Sequence, residues 1–445
     1  MFKTFRNALK IKDIRTKLLY TFMALVIVRL GTLLPAPAIS REAVENIFAS
    51  INLGFLGHLT GGSFSRMSIF ALSISPYISA SIILQLLTIA IPKLEEIQKE
   101  GEDGRRKMEQ ATRYISIGLA VLESTAMAIG FGRSSGVLEG GFTFTNVVLV
   151  VASFTAGSAF LMWLGEQITQ KGVGNGISII LLFNIVSTMP EDFVNLFFKF
   201  VYQKPVWKAI IAVVVILAVI IFTIVFVVIL QDAERRIPVQ YAKRIQGRKM
   251  MGGQTSNIPL KVNTAGVMPI IFASSFMSFP GVIASFFGVY PARERILPKI
   301  LKVLDQRSWL IINFKNFDFG EFKYSIGLLI YIGLLILFAY FYTSITFNPI
   351  EVANNLKKQG GFIPGIRPGK PTSDYLNKVL NRVIFIGAVG LIIVSIIPIF
   401  FSGAFDADVS FGGTSIIIIV GVIIETMQDI ESQMLVRHYK GFLSD

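Results

Sequence analysis

The sequence predicts an all-α, polytopic membrane protein: ten transmembrane helices in two inverted halves of five, with a short re-entrant segment. Three observations predict it. Only 16% of the 445 residues are charged, 53% are hydrophobic and the mean hydropathy is +0.64, whereas soluble domains carry about 25% charged residues. The apolar residues are grouped in blocks about as long as the ~20 residues a helix needs to cross a bilayer. Lys and Arg collect between alternate blocks, which is the pattern that orients helical spans.

The blocks occupy residues 18–34, 69–91, 114–131, 146–165, 173–188, 206–230, 264–287, 325–347, 382–402 and 412–427. The fifth and tenth are short, and the second and seventh are interrupted. Continuous stretches such as 209–230 lack the period of two that a barrel wall requires, so spanning strands are not expected. Of the 42 basic residues, 28 lie in the N-terminal tail, 92–113, 165–175, 231–263, 348–382 and the C-terminal tail; 13 lie on the opposite side and Arg29 lies inside a span. Both termini are therefore expected in the cytoplasm. Residues 288–324, with seven basic and four acidic residues, run against the rule, but long loops orient weakly. The tail 1–17 holds six basic residues and one acid and reads as an amphipathic stretch on the membrane surface. A cleavable signal is not expected, because the first block is a full span and Pro35-Ala36-Pro37 follows it.

Ten spans divide into residues 1–200 and 201–445, with a seam near 189–206. Five spans per half insert the second half upside down relative to the first, as in inverted-repeat transport proteins. No residue-level repeat accompanies this. The second span of each half contains proline, Pro76 in one and Pro269 with Pro280 in the other. A proline kink tolerated by packing explains either alone; matched positions favour a pathway lined by irregular backbone. Ahead of the second span, GFLGHLTGGSFS at 54–65 is too short to cross and too apolar for a loop in water, so it is expected to fold back into the bundle.

Two cytoplasmic loops are longer than helix packing needs. The first carries Arg235, Arg236, Lys243, Arg244, Arg248, Lys249 and Lys261. The second carries Lys357, Lys358, Arg367, Lys370, Lys378 and Arg382, with PGIRPG at 364–369. Orientation bias accounts for part of this charge; two basic projections on one face also suit a polyanion such as ribosomal RNA or an acidic protein.

Little chemistry is encoded. The chain has no cysteine and two histidines, His58 and His438, which excludes disulfides and thiolate metal sites and disfavours a histidine metal centre. Neither a metal nor a cofactor is expected. The spans hold very few ionisable residues; the candidates are Arg29, Glu123 and Glu425, of which Glu123 is the deep acid. Gly365 to Lys370 fails as a phosphate loop, since Pro364 and Pro371 stand where glycine and Ser or Thr are required. An enzyme is disfavoured.

Several stretches are specific: IFALSISPYISASI at 69–82, EGEDGRR at 100–106, FLMWLGEQIT at 160–169 and GNGISI at 174–179, followed by YAKR at 241–244, IPLKVN at 258–263, IFASS at 271–275, GIRPG at 365–369 and GGTS at 412–415. By these the chain resembles the SecY family, the central subunits of bacterial protein-translocation channels. The resemblance runs from the first span to the C-terminal tail. It implies an hourglass of two pseudo-symmetric halves with an aliphatic waist, here Ile74, Ile78, Ile177, Leu181, Ile271 and Ile418. A leucine at 181 departs from the family's frequent isoleucine, a near-isosteric change. It further implies a plug over 53–65, with Leu53, Gly57, Leu59, Gly61, Gly62 and Phe64. A lateral gate would lie between spans two and three and spans seven and eight, with Ser79, Gln85 and Phe279; for Gln85, helix–helix hydrogen bonding is the plainer role. Arg235, Arg236, Lys243, Arg244, Arg248, Lys249, Lys357, Lys358, Arg367 and Lys370 would dock the ribosome or the motor ATPase SecA. The implied partners are SecE, SecG, SecA, the ribosome with its RNA, preproteins with their signal sequences, and membrane lipids, at a bacterial plasma membrane. The alternative, a secondary transporter for a small solute, needs a polar site at the midplane, where this chain offers aliphatic residues and glycine.

Overall fold

The computed structural model describes the chain outside residues 1–8, 45–56, 58–59, 133–135, 203, 242–243, 247–248, 252–254, 287–302, 304–309, 313–321, 406–412 and 441–445. The described residues form twelve helices: α1 Lys12–Leu33, α2 Ser75–Ala90, α3 Pro92–Lys99, α4 Glu102–Gly132, α5 Phe144–Lys171, α6 Gly176–Phe200, α7 Val206–Asp232, α8 Met268–Phe286, α9 Ile326–Thr346, α10 Pro349–Lys358, α11 Lys370–Phe405 and α12 Gly413–Lys440. Every apolar block contains part of a helix, although the second and seventh begin as turns. Seven helical segments are long and apolar enough to cross a membrane, and an eighth is obtained if α2 and α3, bent by 106° at Ile91, count as one. The start of α8 is a shorter apolar helix.

Two boundaries differ from expectation. The second span is not a helix broken at Pro76: residues 69–74 are turns, and Pro76 lies in the first turn of α2, where a missing N–H costs nothing and a fixed φ helps. Pro269 likewise opens α8, whereas Pro280 lies within it. The expected seam at 189–206 is largely helix, because α6 runs through Pro190 to Phe200 and keeps Thr188, Asp192 and Leu196 buried at four-residue spacing.

The two halves meet along two seams, α4 against α8 and α6 against α12. A further tie lies at the end of the bundle where α1 and α6 begin. Lys17 Nζ donates to Gln433 Oε1 at 2.9 Å, and Gln433 Nε2 donates to Asp429 Oδ2 at 2.9 Å. The Gly174 amide donates to the same carboxylate oxygen at 2.9 Å, while the Val173 amide donates to Thr21 Oγ1 at 3.2 Å. Ile14, Val173 and Ile430 pack beside this knot.

The long loops are not irregular. β1 Glu234–Tyr241, β2 Arg244–Gln246, β3 Lys249–Met251 and β4 Thr255–Lys261 lie in the first, and β7 Gly361–Phe362 in the second. A small hairpin, β5 Leu310–Ile312 with β6 Phe322–Tyr324, lies between them in sequence. The order β4-β1-β7, all antiparallel, with Ile237 opposite Ile258 and Gln240 opposite Phe362, joins the loops in one sheet. Ile237 and Val239 of β1 point inward to Leu260, Leu356, Ile363 and Leu376, while Arg235 and Arg236, at the start of the strand beyond this cluster, are exposed. Leu376→Ala should therefore cost this platform about 2–5 kcal/mol. Limited proteolysis of the purified protein should then cut within 231–263 and 348–382 faster, while the α1–α9 bundle stays protected; an unchanged digest would contradict a shared core.

Candidate functional site

The waist residues come from four helices. Ile74 is the residue before α2 and Ile78 lies in its first turn; Ile177 and Leu181 lie at the start of α6, Ile271 on α8 and Ile418 on α12. Local chemistry sets the start of α6: Asn175 Oδ1 accepts from the Ile177 amide at 3.1 Å and the Ser178 amide at 3.4 Å, an N-cap that satisfies two free donors. A Cβ on Gly176 would stand 1.9 Å from the Gly165 carbonyl oxygen, so only glycine lets α5 and α6 meet there and fixes where Ile177 points. Ile74, Ile78, Leu181, Ile271 and Ile418 are all buried and belong to one apolar cluster that draws on both halves; Ile177 is half-buried against it. The side chains of such a cluster offer no charge and no directed hydrogen bond.

The segment before α2 packs mainly into a second apolar cluster, where Phe64, Met67, Ala71 and Leu72 meet Ala120, Met127, Phe131 and Phe154, while Phe70 and Ile74 belong to the first. Of the six plug residues, Leu53 and Leu59 lie outside the described residues. The Gly57 carbonyl accepts from the Gly62 amide at 3.0 Å, and Gly61 and Gly62 occupy left-handed turns at φ +63° and +79°. Phe64 packs edge-on to Phe131 of α4, ring centroids 6.3 Å apart. Residues 60–75 then fold as successive hydrogen-bonded turns: Ser63 to Thr60, Met67 to Phe64, Ala71 to Ser68, Ser73 to Phe70 and Ser75 to Leu72, each amide donating to the named carbonyl. The Ile69 amide donates to the Leu34 carbonyl at 3.0 Å, and the Ala36 amide donates to the Met67 carbonyl at 3.2 Å.

Of the gate residues, Ser79 is half-buried on α2 and Gln85 Nε2 donates to Ser81 Oγ at 3.4 Å. For Phe279 the backbone lies in α8 and the side chain is outside the described residues. The α4–α8 seam closes this side of the bundle.

The sheet gathers the basic residues. Arg235 and Arg236 are exposed on β1, Arg236 paired with Glu234. Lys357 and Lys358 are exposed at the end of α10. Arg367 and Lys370 are exposed beside β7, the Arg367 carbonyl accepting from Thr372 Oγ1 at 2.8 Å. Gly365 and Gly369 flank Arg367 at φ +81° and +104°. Arg244 and Lys249 lie on β2 and β3 with side chains undescribed; Lys243 and Arg248 lie outside the described residues. Among the described residues no group of three His, Cys, Asp or Glu could hold a metal ion.

Sequence reasoning missed three features. The sheet was signalled by alternation at Ile237 and Val239. The polar knot of Lys17, Asp429 and Gln433 had no local signal. Asn184, the buried amide in the apolar α6, was legible as a polar residue in a span.

Known proteins agree with this architecture. Residues 68–427 match the family model SecY. The chain is 42% identical over 450 residues to the protein translocase subunit SecY of Halalkalibacterium halodurans, covering all of both chains. It is 41% identical to that of Bacillus subtilis, again covering both completely. With that of Thermotoga maritima the identity is 40%, over all of this chain and 98% of the relative. Among solved structures, a protein-conducting channel superposes with TM-score 0.61 at 18% identity, covering 95% of this chain and 93% of that one. Sec61 from a canine ribosome–channel complex gives 0.59 at 17% identity, with the same coverage. A family model matching residues 68–427 and relatives at this identity over the whole of both chains show that the chain belongs to the SecY family of protein translocase subunits.

Proposed function

We propose that this chain is the protein-conducting subunit that moves unfolded preproteins across the plasma membrane of a bacterium and releases transmembrane segments sideways into lipid. The observation that carries this reading is the buried aliphatic cluster at which α2, α6, α8 and α12 converge. A transported chain presents every kind of side chain in turn, and a waist of Ile74, Ile78, Ile177, Leu181, Ile271 and Ile418 treats them alike. Residues 53–65 serve as its plug. One solved relative superposing at TM-score 0.60 is described as having a plug domain that stabilises the closed state and maintains a membrane seal.

The side exit is the α4–α8 seam with α2 and α9 beside it, where Ser79, Gln85 and Phe279 meet a signal sequence. The residue halves 1–200 and 201–445 swing apart there. Both termini and the basic sheet face the cytoplasm, as the Lys and Arg distribution requires. Arg235, Arg236, Lys357, Lys358, Arg367 and Lys370 then form the dock for SecA or the ribosome, SecE clamps the two halves, and SecG is accessory. The chain supplies the path and its partners supply the work, which fits the lack of any nucleotide motif. An aliphatic midplane gives the small-solute transporter nothing to bind.

The experiment is protection of a radiolabelled preprotein from added protease by liposomes holding this chain with SecE, supplied with SecA and ATP. Protection that needs both ATP and this chain is expected; none, while a known active channel works in parallel, would contradict the reading. In the same vesicles, replacing Ile78, Ile177 and Ile271 together by Ser should raise resting ion leakage and relax the signal-sequence requirement. Arg367→Glu should lower SecA-driven transport about tenfold, as losing ~1.4 kcal/mol of docking would, and leave ion leakage unchanged.

A further inference from the structure

We propose that Asn184 of α6, with Ser187 one turn on, is the seat that positions the plug segment above the waist. This rests on the reading of 53–65 as a plug and assigns its anchoring to a residue outside it. Asn184 is 2% exposed inside an otherwise apolar helix. Its Nδ2 donates to Ser73 Oγ at 3.0 Å. Ser73, held at φ +51°, immediately precedes the waist residue Ile74. At the other end of the segment, a Cβ on Gly61 would stand 3.1 Å from Asn184 Oδ1, 3.2 Å from Asn184 Cα and 3.1 Å from Ser187 Oγ.

Asn184 therefore meets both ends of the turn-built segment: it bonds to Ser73 at one, and at the other it lies so close to Gly61 that any side chain there would be crowded. The helix register places it well: Asn184 lies three residues beyond the waist residue Leu181, a rise of about 4.5 Å, so the seat is directly above the constriction. Ser187 and Thr188 continue the same face at helical spacing. At its outer edge Arg66 pairs with Glu191 at 3.1 Å, and both side chains are solvated enough that this pair contributes little. The segment's other face packs in the apolar cluster of Met67, Ala71, Leu72, Phe131 and Phe154; that cluster has no directional preference, and the Asn184 bond supplies the direction that fixes the segment's position.

The chain has no cysteine, so two introduced thiols report without background. Phe64→Cys with Phe131→Cys, where the rings are 6.3 Å apart, can be bridged by a short bifunctional thiol reagent in proteoliposomes to lock the segment in place. Asn184→Ala and Ser73→Ala should each slow that bridging and raise resting ion conductance by roughly three- to tenfold, the factor that one lost hydrogen bond carries. The double variant should be no worse than the more affected single one, since both remove the same bond. Bridging the thiols should restore the seal in the Asn184→Ala chain. Conductance and bridging rate equal to the parent in both variants would overturn the proposal. A leak that bridging does not cure would also overturn it, by placing the defect in the waist. The plug reading fails separately: if the bridged parent still carries preprotein across at the unbridged rate, the segment is not a plug, whatever Asn184→Ala does.

Discussion

Non-helical backbone inside a membrane bundle has no water to bond with, so it must satisfy its polar groups within the protein or be expelled. The segment 60–74 meets this constraint largely with its own backbone, leaving the buried Ser63 and Ser68 hydroxyls without a partner, and much else in the structure follows from how. Its amides donate back to carbonyls three to five residues earlier, turn after turn, and small residues let the turns pack: Ser63, Ser68, Ala71 and Ser73 are nearly solvent-free. Gly157 of α5 lies so close to the segment that a Cβ there would stand 2.1 Å from the Ile69 carbonyl oxygen. Because this stretch is turns and not helix, α2 starts late, at Ser75, and delivers Ile74 and Ile78 to the centre of the bundle. A continuous helix from residue 69 would fill the space the plug segment occupies.

At the other end the structure is organised by charge. The bilayer tolerates basic residues only beyond its ends, and the loops that carry them are stiffened into a sheet by the cluster of Ile237, Val239, Leu260 and Leu376. The sheet gives exposed arginines and lysines a fixed base, which a mobile loop would not. The knot of Lys17, Gly174, Asp429 and Gln433 lies at the same end and joins the first helix, the α5–α6 turn and the last helix. The helices so joined carry three of the expected waist positions, Ile177, Leu181 and Ile418.

The membrane bundle was legible in the sequence because lipid imposes a single rule, a long apolar run for each helix, and each of the ten runs contains helix among its described residues, though the second and seventh begin as turns. Boundaries were less legible where proline was involved. Pro76 and Pro269 mark helix starts, while Pro190 is carried inside a helix by the buried spacing of Thr188, Asp192 and Leu196; proline alone does not distinguish the cases. The waist positions were invisible to periodicity, since Ile78 or Ile418 differs from any buried isoleucine only by what lies opposite, and motif position alone selected them. The sheet escaped because its strands are short and set among charges, although Ile237 and Val239 alternate as a half-buried strand must. Asn184 carried a signal of its own, a lone amide in an apolar run, but its partner Ser73 lies 111 positions away, a pairing no local pattern contains.

The central claim is that a moving polypeptide passes through the aliphatic cluster and not along the lipid-facing surface. A photo-reactive amino acid placed at Ile78, at Ile271 or at Ile211, which lies on the exposed face of α7, tests this with a preprotein halted midway across the vesicle membrane. The halted chain should cross-link to positions 78 and 271 and leave position 211 unlabelled. Cross-links at 211 with none at 78 or 271 would contradict the account.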